Sequence, residues 1–138
     1  MIDYGKNNPK AAAAIESEIR SQLKKSTGKL TKADLKKVFG LDLRDQQISD
    51  VSALAALKQL KTLHIYENQI KDVSALAGLK QLERLNLRNN LISDVSALAG
   101  LKRLESLNLQ SNPDLTKAQI AELQKALPKC DIYSNPTK

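Results

Sequence analysis

The chain has 138 residues, 41% of them hydrophobic and 27% charged, with only 5 Gly and 4 Pro, which excludes a disordered tail or a collagen-like rod and points to one folding domain. A single cysteine, Cys130, excludes an internal disulfide framework and a cysteine-rich zinc site, and a single histidine, His64, excludes a multi-histidine metal centre. The net charge of +7 is unevenly shared: residues 1–40 hold 9 Lys/Arg against 4 Asp/Glu, residues 41–106 hold 9 against 8, and residues 107–138 hold 4 against 3.

The opening residues, Met1 to Lys6, lack the apolar core of a secretory leader, which leaves the compartment open between the cytoplasm and secretion after leader removal. The longest apolar run, Ala11 to Ile15, is far shorter than the roughly 20 residues that span a bilayer. No membrane insertion is expected, and the chain reads as soluble. From Pro9 to about Ser26, Ala12, Ile15, Ile19 and Leu23 recur at helical spacing, and Gly28 ends the pattern. Thr31, with Asp34 three residues on, predicts a capped short helix over Lys32 to Val38. Residues 1–40 thus read as a helical N-terminal cap.

From Leu41 the chain repeats itself. The stretches LDLRDQQISDVSALAALKQLKT, LHIYENQIKDVSALAGLKQLER and LNLRNNLISDVSALAGLKRLES follow one another with a period of 22, and a fourth copy opens at Leu107. Within a copy, Leu85 and Leu87 alternate with Asn86 and Arg88 as in a strand with one face inward. Ile92, Val95, Leu98, Leu101 and Leu104 then recur every third residue, which suits a return arm of 3₁₀-like turns. Such a unit cannot bury its apolar side alone, so neighbouring copies must stack into a solenoid. Residues 41–112 form the repeats, with Leu41, Leu63, Leu85, Leu107 and Cys130 as one inner column and Leu43, Ile65, Leu87, Leu109 and Ile132 as the next.

Asn68, Asn90, Asn112 and Asn135, with Gln46 in the first copy, stand where each strand bends back. A carboxamide both donates and accepts, so these side chains are expected to satisfy backbone groups buried at the bend. Asp50, Asp72 and Asp94 of the recurrent D-V-S are expected to bond nearby amides and start the return turn. Ser52, Ser74 and Ser96 recur with them as turn formers rather than nucleophiles. In residues 113–138, Thr116 and Gln119 predict a second capping box, opening a helix that carries Ile120, Leu123 and Leu127 and stops before Pro128. A final partial copy is read from Leu127 to Asn135, so this segment is a C-terminal cap.

The pattern L-x-x-L-x-L-x-x-N-x-I, in Leu60, Leu63, Ile65, Asn68, Ile70 and again in Leu82, Leu85, Leu87, Asn90, Ile92, resembles the leucine-rich repeat. The D-V-S-x-L-x-x-L that follows is similar to the 22-residue class of bacterial internalins and of a eukaryotic phosphatase regulator. The likeness runs from about Val38 to Asn135, and the two-helix entry resembles the N-terminal caps of bacterial leucine-rich repeat proteins. It implies an α/β repeat solenoid: a short right-handed horseshoe with a parallel sheet on its concave side, 3₁₀-like convex turns and helical caps. It also implies a non-enzymatic scaffold that binds a protein or peptide, with no metal or cofactor.

Strand alternation places four columns on the concave face: Gly40, Thr62, Arg84, Ser106, Lys129; then Asp42, His64, Asn86, Asn108, Asp131; then Arg44, Tyr66, Arg88, Gln110, Tyr133; then Asp45, Glu67, Asn89, Ser111, Ser134. Tyr66 is expected between Arg44 and Arg88. Return arms in copies two and three are nearly identical, whereas His64, Tyr66 and Glu67 become Asn86, Arg88 and Asn89. The residues that vary are therefore those that face a partner: Arg44, His64, Tyr66, Glu67, Arg84, Asn86, Arg88, Asn108, Gln110 and Tyr133.

Three other functions compete with this one. His64 beside Tyr66, Glu67 and Arg84 could be read as an acid–base cluster, but no activated nucleophile accompanies it, so no catalytic residue is assigned. A purely structural, consensus-like repeat would look the same in copies two and three. The cap lysines Lys24, Lys25, Lys29, Lys32, Lys36 and Lys37 offer an anionic partner a site, but nucleic acid is disfavoured because the excess charge lies off the repeat face. Self-association stays open, since the sheet alone is small beside a standard interface.

Overall fold

The structure is a computed structural model that describes residues 9–138; the reading of the opening six residues lies outside that range. Helix α1 runs Pro9–Leu23 and buries Ala11, Ile15 and Ile19, with Leu23 partly covered. Ala11 rather than Ala12 completes the apolar stripe, because it lies one turn before Ile15. Lys24 follows in the left-handed region at φ 54°, so the helix ends before Ser26. Helix α2 is a single turn, Lys32–Leu35, shorter than the expected span to Val38. Its capping box is complete: the Asp34 amide donates to Thr31 Oγ1 at 3.1 Å, and the Thr31 amide donates to Asp34 Oδ2 at 2.9 Å.

Five three-residue strands follow, β1 Gly40–Asp42, β2 Thr62–His64, β3 Arg84–Asn86, β4 Ser106–Asn108 and β5 Asp131–Tyr133. They form one parallel sheet in the order of the chain. Leu41, Leu63, Leu85 and Leu107 stack inward, as do Leu43, Ile65, Leu87 and Leu109, all buried. Between strands the chain returns through 3₁₀ helices at Ser52–Ala56, Ser74–Gly78 and Ser96–Gly100. Asp50, Asp72 and Asp94 start each turn by accepting from the amides of Ser52, Ser74 and Ser96 at 2.8–2.9 Å. Hydrogen bonding to these serines holds the carboxyls of Asp72 and Asp94 below the usual carboxylate range.

The asparagines of the bend are buried and fully engaged. Asn68 Oδ1 accepts from the amides of Gln46 and Ile48 at 3.0 and 2.9 Å, while its Nδ2 donates to the carbonyls of Leu43, Ile65 and Tyr66. Asn90 and Asn112 repeat the arrangement one and two coils on. Asn135 does not. It is exposed, and among the described residues its Oδ1 accepts only from the Ser111 amide, at 2.7 Å.

That difference belongs to a shift of register in the last coil. Ile132, not Cys130, pairs with Leu107, Asp131 with Ser106, and Tyr133 with Asn108. The distance from Leu107 to its partner is 25 residues, against 22 from Leu85 to Leu107. Helix α3, Lys117–Ala126, fills the return arm here, and a helix advancing about 1.5 Å per residue uses more chain over a given span than a 3₁₀ turn at about 2.0 Å. The Cys130 amide donates to Leu127 O at 3.1 Å just as Leu104 does to Leu101 O, so Cys130 fills the place of Leu104 rather than that of Leu107. Thr116 caps α3 by accepting from the Gln119 amide at 3.2 Å, but the reciprocal half of the box is missing. Gln119 instead reaches the neighbouring return arm: Oε1 accepts from the Val95 amide at 3.2 Å and Nε2 donates to Ser93 O at 2.8 Å.

Candidate functional site

The side chains that alternate with the buried leucines share one face of the sheet. Register aligns Thr62, Arg84 and Ser106 in one row, and Asp42, His64, Asn86 and Asn108 in the next. The second row ends in Tyr133, not Asp131, and the first in Asp131, not Lys129. Tyr133 therefore lies beside Asn108 rather than Gln110, half-exposed at the open edge of the sheet.

Arg44 and Tyr66 meet across one coil. Arg44 Nη1 donates to the Tyr66 hydroxyl at 2.7 Å, and its guanidinium carbon lies 5.8 Å from the ring centroid. Arg44 Nε also faces Asp42 Oδ2 at 3.4 Å. The Tyr66 hydroxyl and the Asp42 charge together favour the charged form of Arg44, raising its pKa. His64 approaches the same tyrosine edge-on, with ring centroids 6.4 Å apart and planes at 86°. Arg88, expected on the other side of Tyr66, makes no hydrogen bond or cation–π contact with it among the described residues.

Two further features lie outside the simple alternation. Asp42, Asn86 and Asn108 use Oδ1 to accept from the amides of Arg44, Arg88 and Gln110, two residues on, at 3.3, 3.1 and 3.0 Å. Their row is thus partly engaged in holding the strand ends, a role shared with Asx turns. Asp45, Glu67, Asn89 and Ser111 are in the left-handed region, with φ between 52° and 58°, so the fourth column is a bend rather than a strand position. Their amides continue the ladder: those of Asp45, Glu67 and Asn89 donate to Tyr66 O, Arg88 O and Gln110 O of the next coil.

Glu18 of α1 joins the site from outside the repeats. Its Oε1 accepts from the Asp42 amide at 3.4 Å, and it lines a shallow depression with Arg44, Asp45, Tyr66 and Glu67. Within α1 the residue has only the signature of a solvent-facing helix position, and contact with β1 arises from how the cap docks. A separate groove runs between Ser96–Gly100 and α3, lined by Val95, Ala99, Ala118 and Leu123.

Among the described residues no group of three or more His, Cys, Asp or Glu is placed to hold a metal ion, and no helix is long and apolar enough to cross a membrane.

No curated protein sequence matches the chain. Solved structures do: an internalin (inlF) of Listeria monocytogenes at 28% identity and TM-score 0.69, covering 91% of this chain and 43% of that one. The internalin C2 (inlC2) of the same organism matches at 25% identity and TM-score 0.77, over 91% and 56% of the respective chains. A leucine-rich repeat protein of Leptospira interrogans matches at 28% identity and TM-score 0.66, over 77% and 28%. The chain thus spans about half the length of the two internalins, or less. A family model described as "Leucine-rich repeat and WD repeat-containing protein 1, LRR" matches residues 19–135, and the chain belongs to this leucine-rich repeat family.

Proposed function

We propose that the chain is a non-enzymatic scaffold that holds a protein segment or peptide on its concave sheet. The observation that carries this reading is the division of labour within the repeat. Residues that build the core and the return turns are nearly constant over coils one to three, while those facing outward from the sheet change from Thr62, His64, Tyr66 to Arg84, Asn86, Arg88. Constant scaffold with a varied rim is what a recognition surface needs, and Tyr and Arg are frequent anchors of interfaces.

Size narrows the partner. Five strands about 4.8 Å apart span about 20 Å, and three outward residues add about 10 to 13 Å, well below the roughly 800 Å² that each side of a standard interface contributes. An extended segment or loop suits this area better than a flat protein surface. A pull-down comparing wild type with a Tyr66→Ala/Arg88→Ala variant of unchanged melting temperature tests the reading. The variant is expected to lose the captured partner; equal capture by both would place binding elsewhere.

A further inference from the structure

Resting on the concave-face reading, we infer that the third coil takes an acidic peptide segment whose two carboxylates, four residues apart in extended chain, pair with Arg84 and Arg88. Both guanidiniums are exposed, and among the described residues neither has an ion-pair or hydrogen-bond partner. Arg44, the remaining arginine of the sheet face, is already committed to Asp42 and Tyr66.

Placement supplies the spacing. Arg84 opens β3, and the ladder persists past it, with Leu87 N donating to Asn108 O at 2.8 Å and Asn89 N to Gln110 O at 2.9 Å. Four residues of extended backbone put the two arginines on one side about 13 Å apart, matching positions i and i+4 of an extended peptide lying along the strand. Between them stands Asn86. Its Oδ1 is held by the Arg88 amide, which leaves Nδ2 to donate to a peptide carbonyl.

The surroundings favour this ligand over others. Thr62 and Ser106 flank Arg84, and Tyr66 and Gln110 occupy the matching positions beside Arg88; Glu67, whose amide donates to Arg88 O, forms no ion pair with either guanidinium among the described residues. Carboxylates collect instead at the first coil, where Glu18, Asp42, Asp45 and Glu67 line one depression with Arg44. A polyanion laid across the sheet would meet that acidic end, whereas a short acidic segment along the third coil avoids it. Planar guanidinium also meets carboxylate through paired hydrogen bonds, which a lysine could not match.

An isotope-labelled sample titrated with an acetylated pentapeptide carrying Asp at its first and last positions, with Gly, Ser and Gly between, tests the inference by amide NMR. Saturable shifts centred on Arg84 to Asn89 are expected, weakened about tenfold in an Arg84→Gln/Arg88→Gln variant of unchanged melting temperature, as two exposed ion pairs together permit. A peptide with Lys at both ends should give none. Failure of the acidic peptide to shift these amides, or equal binding by the variant, overturns the inference. Tighter, Arg84- and Arg88-dependent binding of a single-stranded oligonucleotide overturns it in favour of nucleic acid. If the pull-down partner is lost in Tyr66→Ala but kept by Arg84→Gln/Arg88→Gln, the acidic pairing falls while the concave-face reading stands.

Discussion

Asn68 and Asn90, from successive coils, donate to the same carbonyl oxygen, that of Ile65, at 2.9 and 3.3 Å. Leu87 O is shared likewise by Asn90 and Asn112, at 3.0 Å each. Each carboxamide therefore ties its own bend to the coil before it, and the chain of asparagines runs along the solenoid like a seam. Replacing the middle member breaks the seam on both sides. Asn90→Ala orphans the Ile70 amide and takes a donor from three carbonyls, those of Ile65, Leu87 and Arg88, so chemical denaturation should show a loss of about 1 to 3 kcal/mol, the penalty of an unmade buried hydrogen bond. Asn90→Asp should be worse than Ala, because a carboxylate accepts from Ile70 but turns negative charge on Leu87 O and Ile65 O. An Asp variant as stable as wild type would contradict the donor role.

The stacking of coils one to four was legible because every inward position recurs after the same number of residues, and a wrong register would have put Asn and Arg into the core. The fifth coil was not. Its return arm is a helix, and neither the period of 22 nor the one residue added to it between Leu107 and Cys130 records how much chain that helix takes up. Carrying the period forward placed Cys130 beside Leu107 and Tyr133 beside Gln110, whereas pairing puts Ile132 and Tyr133 at Leu107 and Asn108. The candidate site was read in the same uneven way. Arg44 against Tyr66 followed from strand alternation, but Glu18 reaches the sheet only through the docking of α1, and the free state of Arg84 and Arg88 depends on where every neighbouring carboxylate points.

Acid should loosen the N-terminal cap first. The Thr31 amide and then the Lys25 ammonium, 2.9 Å away, hold the Asp34 carboxyl at about 2, below its ordinary 3.8. A carboxyl with a depressed folded-state pKa contributes stability above its unfolded value and loses it as pH falls toward the folded one. Melting temperature should therefore fall between about pH 5 and pH 2, and an Asp34→Asn variant should start lower but decline less steeply across that window. Parallel curves for the two proteins would show that the capping box does not carry the acid response.

Cys130 titrates in the opposite direction. Burial first, and the nearby Asp131 charge second, push its thiol from the ordinary 9.0 to about 11. At neutral pH the group is a buried thiol filling a leucine position, so native protein should react with a thiol reagent far more slowly than unfolded protein. Because the unfolded chain releases this proton more readily than the folded one, stability should decline as pH rises through that interval, and Cys130→Val should remove that part of the decline. Fast labelling under native conditions would mean that the last coil opens on its own.

Gln119 offers a test of how the C-terminal cap is fastened. A complete capping box would make its side chain serve the first turn of α3, but both of its hydrogen bonds go to the third return arm, at Ser93 O and the Val95 amide. Two such bonds contribute about 1 to 3 kcal/mol together. Gln119→Ala should cost that amount and, in native-state hydrogen exchange, release the Val95 amide, 24 residues away in the chain, while the Thr116 amide stays as it was. Thr116→Ala should do something different: it removes the oxygen that accepts from the Gln119 amide, so protection falls within the first turn of α3 at a cost of about 1 kcal/mol. Loss of protection confined to α3 in the Gln119 variant would mean that the residue caps its own helix and that the cap is held in place by its other contacts, among them Leu123 and the bond from Lys102 Nζ to Ala126 O at 2.9 Å.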